Sequence, residues 1–239
     1  MSNQPSWITG IGAAAVKPVD ALPVSINLIN ADQLRKCAVS LSHERAIIMA
    51  GLLNQLCPKY GIVAKDVLHE FLANVLQESL EFQHKVENMN YRAVTIVDTW
   101  PKRFYLSVPV KGKLDANKYA RKPKELAIAA YGDRMGNRPG TEDGWNLRGG
   151  GFIGLTGFYV YETFRKYKGF KTVEEAAEYV RGSDYGALDS ALWFFCVLKE
   201  LMDEAERDEM IGIVKEINGG TIGLKDRMYY LKLVLKYVV

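Results

Sequence analysis

The chain has 239 residues, 48% hydrophobic and 25% charged, with a formal net charge of +3. That composition excludes a disordered chain, and the charge is too small to demand a nucleic-acid partner, because affinity for phosphate backbones needs a dense cationic surface. Cys37, Cys57 and Cys196 are odd in number, far apart and form no CxxC pair, which argues against a disulfide framework or zinc knuckle and suits a reducing compartment.

Residues 1–26 read as an extended N-terminal arm, broken by Pro5, Pro18 and Pro23. Their apolar patch at 7–16 has no preceding Lys or Arg and is interrupted by Thr9, Gly10 and Gly12, so no signal peptide is expected and synthesis is expected in the cytoplasm. The longest apolar run, 191–198, falls well short of the roughly 18 residues of a membrane span, so no stable membrane anchor is expected.

From Asn30 onward the apolar periodicity is helical, which predicts a mainly α protein. Ser42 is placed to cap a helix with Glu44 in its first turn and Ile47, Ile48 and Leu52 on its apolar face, closed by Pro58. Residues 66–82 form a second predicted helix, with Leu68, Phe71, Leu72, Val75 and Ser79 inward. Thr172 and Glu175 form a capping box for a helix that stops at Gly182. Residues 184–202 are expected to supply the central core helix through Leu188, Leu192, Phe195 and Leu198. A further helix ends at Gly219–Gly220, and the last spans 224–237 with Met228, Leu231 and Leu235 inward. Between them, 100–157 is irregular, glycine-rich and aromatic, which is costly to order unless it packs over something or works. Within it, residues 102–124 carry eight Lys or Arg against one Asp, read either as a contact for an anionic surface or as a solvated loop.

The 66–82 helix holds four carboxylates. The 100° helical period puts Asp66, Glu70 and Glu81 on the side away from the apolar stripe and Glu78 at its border, where desolvation favours the protonated form that a general acid needs. Glu87 follows nine residues later, beyond the predicted helix. Two carboxylates flanking a sugar bond are what glycoside hydrolysis requires, one to protonate the leaving oxygen and one to activate water or attack carbon.

These residues carry a resemblance. Leu76-Gln77-Glu78-Ser79, Val86-Glu87-Asn88-Met89-Asn90-Tyr91, Tyr131-Gly132-Asp133-Arg134-Met135-Gly136-Asn137, the run from Asp143-Gly144-Trp145 to Thr156-Gly157, and Ile217-Asn218-Gly219-Gly220 with Gly223-Leu224-Lys225-Asp226-Arg227 resemble, in order, the segments of glycoside hydrolase family 19, which includes chitinases and phage endolysins. The resemblance implies a lysozyme-like, two-lobed catalytic domain over 27–239 with a central substrate cleft. It implies Glu78 as general acid and Glu87 as general base of an inverting reaction, with Thr156 holding the water and Asn218 and Arg227 at the substrate site. Arg227 is expected beside Glu87 and Tyr91 at the substrate site, and Trp145 is read either as stacking on a sugar face or as packed in the interior. No cofactor and no metal are implied. The partner implied is a cell-wall glycan, peptidoglycan first and chitin second, with delivery by a holin or a secretion machine and action at the bacterial cell wall. Glycan binding without cleavage, and a toxin-like effector with the same chemistry, are the rival readings.

Four positions depart from the family pattern. Gln77 stands where a histidine is usual, Gly150 for an arginine, Gly154 for a glutamine and Val160 for an asparagine. The departures also create a G-x-G-x-x-G string at Gly149, Gly151 and Gly154, but Trp145-Asn146-Leu147-Arg148 before it is not the strand that a dinucleotide site requires. His43, His69 and His84 show no metal-ligand spacing.

Overall fold

The computed structural model describes residues 26–239, so the expected N-terminal arm lies outside the described residues apart from its last position. The described chain is mainly α. In order its helices are α1 (Ala31–Cys37), α2 (His43–Leu56), α3 (Lys65–Glu78), α4 (Ala93–Thr99), α5 (Pro123–Tyr131), α6 (Asp143–Asn146), α7 (Phe158–Lys168), α8 (Val173–Gly182), α9 (Asp184–Trp193), α10 (Met202–Glu206), α11 (Met210–Asn218) and α12 (Leu224–Tyr237). Two short strands, β1 (Phe104–Tyr105) and β2 (Leu114–Asp115), pair in parallel with Phe104 opposite Leu114. No single helix among the described residues is long and apolar enough to cross a membrane.

The chain divides into two compact units. Among the described residues the first holds 26–85, Gly151–Ile153 and Gly182–Val239, and the second holds Val86–Gly150 and Gly154–Arg181. In the first unit α3 is the central element, with every residue from Val67 to Leu76 buried, and α12 packs along it. A helix enclosed on all sides has no outward face. Glu70, expected to point away from the core, is therefore 0% exposed, with neither carboxylate oxygen hydrogen-bonded among the described residues, while Asn74 one turn on donates to its backbone carbonyl at 2.8 Å.

Side-chain caps place some of the helix starts. Ser42 Oγ accepts the Arg45 N–H at 3.1 Å, and Thr172 Oγ1 accepts that of Glu175 at 3.1 Å. The Glu175 carboxylate reaches Lys171 N instead of the cap residue, so the box is only half closed. Facing is harder to read. Ile47 and Ile48 are about half exposed, and α2 buries Ala46, Met49, Ala50, Leu53 and Leu56 instead. On α12 Leu231 is inward as expected, but Met228 and Leu235 are exposed and the buried stripe is Arg227, Leu231 and Val234. The expected 184–202 helix is α9, with Leu188 and Leu192 fully buried, followed by a π turn at Phe194–Leu198 that buries Phe195 and leaves Leu198 half-buried.

The second helix also ends early. After Glu78, Leu80, Glu81 and Phe82 all take left-handed backbone, at φ 49°, 59° and 61°. Side chains resist that conformation, so surrounding bonds must hold it. Ser79 Oγ donates to Val75 O at 2.6 Å and accepts the Phe82 N–H at 2.8 Å. The Glu81 carboxylate accepts from Ser40 N and from the Tyr230 hydroxyl.

The second unit has its own core of Met89, Ile96, Trp100, Phe104, Leu126, Ala127 and Ala130. The stretch expected to be irregular contains β1, β2, α5 and α6 and is closely tied: Lys113 Nζ bonds Pro101 O at 2.6 Å and Asn117 Nδ2 bonds Leu106 O at 2.8 Å.

Candidate active site

In the first unit Glu78 is the last residue of α3, and its side chain is 28% exposed. Burial pushes its carboxyl above the ordinary carboxylate value, opposed by the positive charge of Arg227. Arg227 comes from the first turn of α12, is 1% exposed, and donates through Nη2 to Glu78 Oε1. Expected beside Glu87, this arginine is instead seated on Glu78. The reason is the pairing of α12 with α3, which turns Arg227 onto the end of that helix.

A small loop locks the arginine. Ile222 O accepts Arg227 Nη1 at 3.1 Å and Asn218 Nδ2 at 2.9 Å, and Gly223 caps α12 at φ 78°. A Cβ on Gly223 would collide with Arg227 Nη1, so glycine is required there twice over. Asn218, expected at the substrate, thus spends its amide donor on its own loop. Gln77 also lies near this loop, its Nε2 3.9 Å from where that Cβ would sit.

In the second unit Glu87 is clasped from both ends. Its N–H donates to Gly149 O at 2.9 Å, its Oε2 accepts the Gly149 N–H at 3.0 Å, and its Oε1 accepts the Tyr131 hydroxyl at 2.6 Å. A Cβ on Gly149 would stand 3.1 Å from Glu87 Oε2 and 3.5 Å from Thr156 Oγ1, which brings Thr156 to the same spot. The Thr156 hydroxyl donates to Gly154 O at 2.8 Å, leaving its lone pairs as acceptors for a water. Tyr91 is close enough for the Glu87 charge to help raise its phenol above the ordinary value, after burial, and it packs edge-on against Trp100 at 5.6 Å. Trp145 is half-buried, packed against the core of this unit and covered by the Arg148 guanidinium at 3.6 Å.

Two arginines complete this group. Burial beside Arg181 lowers the Arg148 pKa, while Tyr161 and Glu87 act in the other direction. Arg148 Nε and Arg181 Nη1 are buried without a hydrogen-bond partner among the described residues. Arg181 also explains one departure: a Cβ on Gly150 would strike Tyr161 Oη and come within 2.8 Å of Arg181 Cγ. The space for a side chain at 150 is already filled by an arginine from α8. Gly154 is different, because nothing lies within 4 Å of its Cβ position and nothing replaces the missing glutamine. Val160 is buried in α7. Tyr131 and Arg148 lie inside the motif segments, where their roles could have been suspected; Arg181 has no sequence signal, because its neighbours are set by tertiary packing.

The protein defined by this fold and these groups is a mainly α chain presenting two separately supported glutamates, a combination suited to acid–base hydrolysis. No family model matches the chain, but it is 34% identical over 172 residues to a glycosyl hydrolase family 19 domain-containing protein of Haemophilus influenzae, spanning 71% of this chain and 78% of that one. The chain belongs to glycoside hydrolase family 19.

Proposed function

We propose that this family 19 glycosidase cuts β-1,4 bonds of peptidoglycan with inversion, Glu78 acting as acid and Glu87 as base. The observation that carries the reading is the contrast between the two carboxyls. Burial raises the Glu78 carboxyl above its ordinary value and Arg227 opposes it, whereas each Glu87 oxygen accepts a hydrogen bond, from the Tyr131 hydroxyl and the Gly149 N–H. In the reaction Glu78 gives its proton to the leaving glycosidic oxygen. A water placed by Thr156 and Glu87 attacks the anomeric carbon, loses its proton to Glu87 and leaves the product with inverted configuration. Arg227 stabilises the negative charge that appears on Glu78 as the proton departs.

The test adds purified protein to outer-membrane-permeabilised bacteria and to colloidal chitin, with Glu78→Gln and Glu87→Gln beside it. The expected result is clearing of the cells by the wild type and a loss of roughly 100-fold or more in each variant, with NMR of the first product showing the inverted anomer. Soluble sugar released from chitin alone would replace peptidoglycan by chitin as substrate. Binding without release from either polymer would sink the enzymatic reading in favour of a glycan-binding protein.

A further inference from the structure

The cationic stretch at 102–124 is not absorbed by the chemistry above, yet part of it borders a cavity of about 630 Å³ lying wholly within the second unit. Trp100, Pro101 and Leu114 give it apolar walls, and Lys102, Arg103 and Arg134 give it positive charge. Arg103 is committed, to Asp133 at 2.8 Å and to the Ala129 carbonyl. Lys102 and Arg134 are exposed and carry no ion pair among the described residues. A cavity of this size, with carbon walls and two uncommitted cations, suits a small anionic organic group better than an ion alone. The Trp100 wall also meets the Tyr131 ring edge-on at 5.8 Å, and the Tyr131 hydroxyl holds Glu87, so the cavity is one ring contact from the proposed base.

We propose that this cavity binds a carboxylate of the peptide stems borne by the glycan, with Lys102 and Arg134 as the recognising groups. The proposal rests on the peptidoglycan reading and deepens it: the stems carry carboxylates and short aliphatic side chains, whereas an unsubstituted amino-sugar polymer is neutral. A polyol phosphate would match the charge but not the apolar walls.

Two measurements on the full chain test it. The first titrates the soluble stem peptide L-Ala-γ-D-Glu-L-Lys-D-Ala, and separately glycerol phosphate, into the wild type and a Lys102→Gln/Arg134→Gln variant, with calorimetry as readout. The wild type should bind the peptide, the variant should bind it roughly fivefold to thirtyfold more weakly, as for the loss of two solvent-exposed charge contacts, and glycerol phosphate should bind more weakly than the peptide. The second compares KM on glycan strands from one sacculus preparation, intact or stripped of stems by an amidase. The variant should raise KM only on the intact strands and leave kcat unchanged. Equal peptide binding by the two proteins, no binding by either, tighter binding of glycerol phosphate, or an equal KM change on both strands overturns the proposal. If neither strand is cut, the proposed activity falls, while the peptide titration still decides the cavity. Circular dichroism and the two single variants guard against misfolding of the double variant.

Discussion

Glu70 and Glu78 lie two turns apart on α3, and burial raises both carboxyls, but among the described residues only Glu78 has a cation on it. Glu70 is pushed up to about 7 from an ordinary 4.5, so the native state holds its proton over a range where the unfolded chain has released it. Native protein then binds more protons than unfolded protein between those values, and stability must fall as pH rises from about 4.5 to 7 and stay reduced above that. Glu70→Gln removes the titration. It should match the wild type near pH 4 and exceed it by up to about 3 kcal/mol at pH 8.5, read from denaturant midpoints at the two pH values; a gap independent of pH would refute the assignment. For Glu78 the sign concerns catalysis. Arg227 opposes the upward shift, so Arg227→Lys, which loosens the contact while keeping charge, should move the alkaline limb of kcat/KM upward and lower kcat by roughly tenfold. A limb that moves down would mean that Arg227 does not act on Glu78.

The elements explain what could be read in the chain and what could not. Helices bounded by Ser42, Thr172 and Gly219 were legible because a cap is a local hydrogen bond, and 224–237 was found residue for residue. Faces were less legible: α3 is enclosed all round, and α2 buries small Ala46 and Ala50 while showing two isoleucines to solvent, which no rule about hydrophobic stripes anticipates. The early end of α3 was hidden for another reason. Its left-handed turn uses Leu80, Glu81 and Phe82 rather than glycine, and it is held by Ser40 and Tyr230, which are remote in sequence. At the site, Glu78, Glu87 and Thr156 sit inside recognisable motifs, but the partner of Arg227 and the presence of Arg181 follow from helix packing alone. The turn gives a test at this scale. Ser79→Ala leaves the Phe82 N–H unpaired in the interior and should cost about 1–3 kcal/mol, seen as a drop of roughly 2–10 °C in Tm, with a fall in kcat because the turn fixes the end of the helix that carries Glu78. An unchanged Tm would show that the hydroxyl does not support it.

Over the whole molecule charge is unevenly divided. The second unit has 17 Lys or Arg against 11 Asp or Glu, a net +6, while residues 26–239 of the first have 13 against 16, a net −3. The modest overall +3 therefore conceals one basic unit, and association with an anionic wall should depend on salt. Raising ionic strength from 0.1 to 1 M shortens the screening length from about 10 Å to 3 Å, so KM on sacculi should rise steeply while KM on neutral chitin oligomers changes little, a comparison of initial rates that fails if both substrates respond alike. The first unit is also discontinuous: the carboxyl on α3 receives its arginine from 149 positions downstream. During synthesis that distance in sequence becomes a delay line. Translation places the glutamate 149 positions before its cation, so a nascent chain that has not yet reached α12 carries no assembled acid. Purified chain ended before Leu224 should therefore fail to clear outer-membrane-permeabilised bacteria that the full-length chain clears, and equal clearing by the shortened chain would show that the acid assembles without its arginine.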